Sequence, residues 1–209
     1  MLKLVYCEFL KLKRRKFILL TIIAAALFPI PMTMFAAKSN LGFNWLYLNI
    51  GVYGYFLLLP TVLGVLGAIL FFSEKNNGTQ KNIDIIPIST AALIVAKVLT
   101  LLIFAIIYSL ATNGATLIGG IVIGSIDRIF YRLFIGLIIG ALVAVSVLPI
   151  VAVECLSKKG YIFSIIISFI YAIASFAIVF AMANILSPLS AVFRWALPHM
   201  TTGPTYGLD

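Results

Sequence analysis

Five long apolar runs, separated by short polar segments, make up most of this 209-residue sequence. An α-helix rises about 1.5 Å per residue, so roughly 20 apolar residues cross the hydrocarbon core of a bilayer, which is about 30 Å thick. Pro188 interrupts the last run, and its regular helix is therefore expected to end near residue 185. The pattern predicts five transmembrane helices, at residues 17–37, 47–72, 91–123, 130–153 and 161–185.

The composition favours the same class of protein. Hydrophobic residues make up 63% of the chain and charged residues only 10%, whereas a soluble domain carries about a quarter charged residues. The net charge of +9 comes from short basic clusters between the apolar runs, as in loops that face anionic lipid. We therefore predict a single all-α transmembrane domain over residues 1–209, with membrane lipid and not nucleic acid as a partner.

The basic residues also predict the orientation, because short loops rich in Lys and Arg stay in the cytoplasm. If the amino terminus is cytoplasmic, the outer segments hold only four of the 15 basic residues, Lys38, Arg128, Arg132 and Arg194. Five spans then place residues 187–209 outside the cell. The prolines of this tail, with Trp195 and His199, are typical of a segment that lies at the membrane interface.

The sequence offers no set of residues for catalysis. The six acidic residues fall in predicted loops or at span ends, and the single histidine lies in the tail. No metal-binding HExxH motif and no phosphate-binding GxxxxGK[ST] loop is present. We predict that the chain is not an enzyme and has no catalytic, cofactor-binding or metal site, and that another chain binds the nucleotide for any driven process.

The first 16 residues predict an amphipathic helix that lies at the inner membrane interface. Wound as a helix, they place the basic residues Lys3, Lys11, Arg14 and Arg15 opposite an arc of apolar residues, namely Leu2, Val5, Tyr6, Phe9, Leu10 and Leu12. A basic cluster, Lys11, Lys13, Arg14, Arg15 and Lys16, would then hold the inner end of the first span against anionic lipid. A simple topology signal without mechanical role is the alternative.

Two GxxxG pairs allow helices to approach closely, Gly136 with Gly140 and Gly120 with Gly124. We interpret both as packing within one chain; an interface between subunits is the alternative.

The segment between spans two and three predicts a two-turn helix at residues 79–87. Ser89 or Thr90 can then cap the third span. Ile83 and Ile86 would lie on one face of the short helix, exposed unless they meet lipid or a groove on a partner. Glu74 and Lys97 flank the loop; we expect both to extend to the interface, and bracing of the loop is the alternative.

Two ordered patterns carry a family resemblance. An acid at Glu8 precedes the basic cluster and the first span, and a second set flanks the loop, Glu74, Asn77, Gly78, Thr79, Pro87 and Lys97. In this order and spacing, over most of the chain, the sequence resembles the membrane subunits of ABC-2 type transporters, specifically the small permeases of bacitracin resistance and lantibiotic immunity.

The resemblance implies an elbow helix at residues 1–16, with Lys11, Lys13, Arg14 and Arg15 on the inner leaflet. It also implies a cytoplasmic coupling helix at residues 79–87 that docks on a separate ABC ATPase through Glu74, Gly78, Thr79, Ile83, Ile86 and Pro87. ATP and Mg²⁺ would bind to that subunit, and a second permease copy or paralogue would complete the transporter. The family has six spans, so either the chain continues beyond residue 209 or this is a five-span variant.

The implied function is export of a peptide antibiotic such as bacitracin or a lantibiotic across a bacterial plasma membrane. Export of lipid or polysaccharide precursors uses similar subunits and is the first alternative. A membrane immunity protein that binds a toxin without transport is the second. Apolar residues line every span, so substrate contacts are not assigned.

Overall fold

The computed structural model describes residues 2–13, 16–76, 89–124, 128–156, 161–180 and 187–201. In these residues every regular element is a helix, which confirms the predicted all-α class. The helices are α1 (Leu2–Lys13), α2 (Lys16–Leu27), α3 (Pro29–Lys38), α4 (Phe43–Tyr53), α5 (Leu59–Asn76), α6 (Thr90–Ile123), α7 (Ile129–Leu156), α8 (Tyr161–Phe180) and α9 (Pro188–Thr201). A π-helical turn, Gly54–Leu58, joins α4 to α5.

Four helical stretches in the described residues are long and apolar enough to cross a membrane, namely Ile18–Lys38, Phe43–Phe72, Thr90–Ile123 and Ile129–Val153. The helix in the predicted fifth span, α8, carries a shorter apolar stretch, Ile165–Ile178. Residues 181–186, which complete that predicted span, lie outside the described residues. The helix of the third span, α6, begins at Thr90, one residue before the predicted start at residue 91. The Ser89 side chain caps this end of the helix and accepts a hydrogen bond from the Ala92 N–H at 3.3 Å.

The first predicted span is two helices and not one. α2 ends at Leu27, and α3 begins at Pro29, which is followed by Pro31. A proline within a helix removes an N–H donor and its ring clashes with the preceding turn, so the two prolines break the helix here. The second span begins at Phe43, four residues before the predicted start at residue 47, because Phe43 and Leu46 are buried against the neighbouring helices.

The helix α6 lies at the centre of the bundle and packs against α1, α2, α3, α4, α5 and α7. Small polar residues form its buried stripe, and their hydroxyls donate to carbonyls of the preceding turn of the same helix: Thr100, Ser109, Thr112 and Thr116. These hydrogen bonds satisfy the hydroxyls within the helix, so the stripe needs no water and leaves room for close packing.

The GxxxG pair of α7 packs on this stripe. A Cβ placed on Gly140 would lie 1.8 Å from the Ser109 hydroxyl oxygen, and one on Gly136 would lie 2.1 Å from the Asn113 side-chain nitrogen. The motif therefore joins two helices of one chain, as we interpreted it. The pair Gly120 and Gly124 differs, because Gly124 ends α6 in the left-handed conformation, with φ at 75° and open space around it.

The remaining helices complete the bundle. α5 packs against α7 and α8, and α9 packs against α4, α7 and α8. One side of α9 is buried, and its Phe193 ring meets the Phe56 ring edge to face, with the centroids 4.8 Å apart. We call the end of the bundle that carries α1 the first face, and the end that carries α9 the second face.

Substitution of Gly64 tests the packing of α5 on α8. A Cβ at this position would lie 2.3 Å from the Ser168 Cβ, which cannot rotate away. Gly64→Ala is expected to destabilise the protein by roughly 1–3 kcal/mol through overpacking, measured by thermal unfolding in detergent. Gly114→Ala is the control, because a Cβ there meets nothing within 4 Å.

Removing the partner's Cβ should relieve the clash. We expect the Gly64→Ala, Ser168→Gly double variant to recover part of the lost stability. Equal melting of the wild type and Gly64→Ala would contradict the close approach of these two helices.

Candidate functional site

The helix α1 at the first face is the predicted elbow, and it packs on α6. Its buried side chains are Val5, Glu8 and Leu12, spaced three and four residues apart along one face of the helix. Tyr6, which we expected on the same apolar arc, is 63% exposed. The apolar arc is therefore divided: one part packs on the bundle, and the part around Tyr6 and Leu10 is free to meet lipid.

The basic residues of the elbow lie on its outer surface where the structure describes them. Lys3, Lys11 and Lys16 are exposed. Lys13 is the last residue of α1, but its side chain lies outside the described part of the chain, as do Arg14 and Arg15. Of the predicted helix 1–16, the structure describes residues 2–13 as α1, and residues 1, 14 and 15 lie outside the described residues.

Glu8 is a buried carboxylate, although the sequence pattern placed it with the aqueous loop residues. Its side chain is only 3% exposed, and its Oε1 accepts a hydrogen bond from the Lys11 ammonium at 2.6 Å. Its second oxygen, Oε2, is buried and has no hydrogen-bond partner among the residues that the structure describes. A buried charge is costly unless it is paired, so the contact with Lys11 is what permits Glu8 to lie between α1 and the bundle.

Lys97 is the second buried charge at the first face. It is 1% exposed, and its Nζ donates a hydrogen bond to the Leu70 carbonyl oxygen of α5 at 2.5 Å. The ammonium also lies over the Phe71 ring, 5.0 Å from its centroid, in cation–π geometry. Our expectation that Lys97 extends to the interface is wrong, and the bracing alternative describes it: Lys97 binds the start of α6 to the end of α5.

The predicted coupling residues lie in the sequence between Leu70 and Lys97, the two residues of this brace. Glu74 belongs to the last turn of α5, but its side chain lies outside the described residues. Gly78, Thr79, Ile83, Ile86 and Pro87 fall within 77–88, the segment that the structure does not describe. Of this region the structure defines the two helix ends that hold the loop, Asn76 and Thr90, together with the Ser89 cap.

A hydrogen bond joins the π-helical turn before α5 to α6, deeper in the bundle. Tyr55 lies in the π-helical turn, and its hydroxyl donates to the Ser109 carbonyl at 3.4 Å. A π-helical turn inserts one extra residue per turn, and such turns are frequent at functional sites. Within the described residues no three His, Cys, Asp or Glu side chains come together to hold a metal ion.

Arg132 forms a corresponding contact at the second face. It is 6% exposed and lies between the rings of Phe43 and Tyr47, with its guanidinium carbon 4.7 Å from each centroid. One guanidinium nitrogen donates to the Asn44 side-chain oxygen, and the Tyr47 hydroxyl donates to the Arg132 carbonyl at 3.0 Å. Arg132 therefore joins the start of α7 to the start of α4.

Sequence reasoning counted Lys97 and Arg132 as loop charges; it offered the Lys97 brace only as the alternative and missed the Arg132 contact. The available signal was their position, since each lies inside a predicted span, 91–123 or 130–153. A charge inside an apolar run is retained where a partner satisfies it, so both positions indicated a buried contact.

Comparison with known proteins gives one match. The sequence model of a protein family described as "ABC-2 family transporter protein" matches residues 4–175. No curated protein and no solved structure matches this chain.

Amine labelling tests the brace at Lys97. With the protein in mild detergent, an amine-reactive reagent should modify Lys3, Lys16 and Lys38, which are exposed, and leave Lys97 unmodified because its Nζ is buried. Mass spectrometry of the digested chain gives the extent at each site. Unfolding the protein before labelling is the control and should make Lys97 reactive; labelling of Lys97 in the folded protein to the level of Lys16 would contradict its burial.

Proposed function

This chain belongs to the ABC-2 family of transporter membrane proteins, and from that premise we propose that it exports, or removes from the membrane, a peptide antibiotic such as bacitracin or a lantibiotic. ABC-2 permeases are multi-pass membrane subunits of ABC exporters, and a separate ATPase subunit hydrolyses the nucleotide. The choice of a peptide antibiotic is supported by the resemblance of the elbow and loop patterns to the small resistance and immunity permeases.

The Lys97 brace is the observation that supports a coupling role for residues 77–88. The loop is held between α5 and α6, and the contact of Lys97 with the Leu70 carbonyl joins those two helices just behind it. A force applied to the loop therefore acts on both helices together instead of separating their ends. This is the mechanical property that a coupling element needs.

The proposed cycle follows from this connection. ATP, with Mg²⁺, binds to the partner ATPase, and closure of its subunits moves the coupling helix at residues 79–87. The braced ends of α5 and α6 follow as one unit, and their tilt changes the space between two permease chains, either two copies or a pair of paralogues. The elbow helix α1, packed on α6, is carried with the same unit.

The proposed orientation places the first face in the cytoplasm of a bacterial cell. It is supported by the distribution of Lys and Arg, since Lys3, Lys11 and Lys16 are exposed at the first face. The second face, with α9, is then outside.

Thiol labelling of intact cells tests this orientation. Ser39→Cys introduces an exposed thiol at the second face, whereas the native Cys7 is exposed on α1. A membrane-impermeant reagent should label the introduced cysteine in intact cells and should label Cys7 only after the cells are permeabilised. The reverse pattern would overturn the orientation, and the coupling assignment with it.

Charges in the proposed coupling helix test the docking on an ATPase. If Ile83 and Ile86 are buried in a groove of the partner, each contributes on the order of 1.5–3 kcal/mol, so the Ile83→Asp, Ile86→Asp double variant should lose the complex. We expect normal abundance in the membrane, with loss of ATPase copurification and of resistance to the peptide antibiotic.

The matched control is the Asn76→Asp, Asn77→Asp double variant, which makes the same change in charge without replacing an apolar side chain. Retained copurification with the Ile83, Ile86 variant would show that this helix is not the docking element. Loss of copurification without loss of resistance would favour an immunity protein that acts without transport.

A further inference from the structure

A lateral groove between α3 and α6 is the feature from which we draw a further inference. Its volume is about 480 Å³, within the range of roughly 300–1,000 Å³ that is typical of small-molecule sites. The side chains of Ile30, Met34, Ala115, Ile118 and Val122 line it. Four of these five are exposed at the outer surface of the bundle, so the groove opens sideways toward the hydrocarbon.

The floor of the groove is closed by tight packing between α3 and α6. Gly119 packs against Thr33, and a Cβ at Gly119 would lie 2.4 Å from the Thr33 hydroxyl oxygen. That hydroxyl donates to the Pro29 carbonyl at 2.8 Å and so has its hydrogen bond within α3. The floor therefore suits an aliphatic chain, whereas a peptide would bring N–H and C=O groups that need partners.

Among the described residues that line the groove, Lys38 at one end is the one with a charged side chain. Lys38, in the last turn of α3, completes the lining and is exposed. The Phe35 and Trp45 rings lie together near this end, with their centroids 5.6 Å apart. Aromatic rings of this kind favour the headgroup level of a bilayer, which places the Lys38 ammonium at the depth of lipid phosphates.

The length of the groove matches one leaflet. From Lys38 to Ile30 the helix runs eight residues, or about 12 Å, while half of the hydrocarbon core is about 15 Å. A chain that starts at Lys38 therefore ends near the middle of the bilayer. A second copy of this protein fits the groove less well, because a symmetric interface centred here would bring two Lys38 side chains together.

We propose that the groove between α3 and α6 binds one acyl chain of an anionic phospholipid of the surrounding bilayer, with the lipid phosphate at Lys38. This proposal does not depend on the exporter's substrate or on its ATPase. It assigns a specific lipid site to the outer surface of α3 and α6, near the second face and away from the Lys97 brace.

Native mass spectrometry of the detergent-purified chain tests the headgroup contact. The protein is given equal amounts of phosphatidylglycerol, which is anionic, and phosphatidylcholine, which is zwitterionic. A lysine near anionic lipid contributes about 1 kcal/mol, so Lys38→Gln should lower the preference for phosphatidylglycerol about five-fold. Arg128→Gln is the matched control, because Arg128 is exposed at the same face but does not line the groove.

Filling the groove tests the acyl-chain contact. Ala115→Phe should remove the bound phosphatidylglycerol. Ala24→Phe is the control, because Ala24 lines another apolar groove of similar volume, about 410 Å³, whose lining contains no charged side chain. Thermal unfolding shows whether each variant folds. If Ala115→Phe does not fold, Ala115→Leu, a smaller change at the same position, is used in its place.

The proposal would be overturned if Lys38→Gln left the lipid preference unchanged, or if the folded groove-filled variant retained all of its lipid. A third test uses a variant that carries Ile118→Cys as its one cysteine. A disulfide between two such chains would also overturn the proposal. The last result would show that a second copy covers the groove.

Discussion

The contact between α6 and α7 sets the geometry of the rest of the bundle. In a bilayer there is no hydrophobic force to bring helices together, because lipid chains are as apolar as leucine, so close packing must supply the attraction. Gly136 and Gly140 remove the side chains that would hold α7 away from Ser109 and Asn113 of α6. Because α7 packs closely on one side of α6, the other sides of α6 are available for contacts with α1, α2, α3 and α5.

The buried charges act at the two ends of this bundle. Lys97 joins α5 to α6 at the first face, where Glu8 of α1 is paired with Lys11 of the same helix, and Arg132 joins α4 to α7 at the second. Each has a neighbouring charge, a carbonyl or aromatic rings as a partner, and each would be destabilising alone. The ends of the helices are thereby fixed where the connecting segments begin. A permease whose helices are moved by a force on a cytoplasmic loop needs rigid helix ends, because a flexible end would bend without moving the rest of the helix.

The first span is joined to the bundle less tightly than the second. The prolines divide it at Phe28, and only 28% of an 18-residue stretch within Ile18–Lys38 is buried, against 72% of one within Phe43–Phe72. This difference leaves grooves beside α2 and α3 that open toward lipid. In our proposals the two parts have separate roles: the braced pair of α5 and α6 carries motion from the ATPase, and the groove beside α3 holds a phospholipid.

The sequence by itself determined the helical class and the presence of several long apolar helices, and it limited the cap of α6 to Ser89 or Thr90. Hydropathy over 20 residues and the residue types at helix starts are local properties, and a chain in lipid satisfies its backbone hydrogen bonds within each helix. Only the tertiary structure decided that Glu8, Lys97 and Arg132 are buried, that Tyr6 is exposed, and that Gly136 and Gly140 pack against α6. Those facts depend on which helix lies beside which, and the partners are far apart in sequence: Lys97 contacts Leu70, and Arg132 contacts Asn44. The pattern of one helix does not reveal the neighbour that will satisfy its charge.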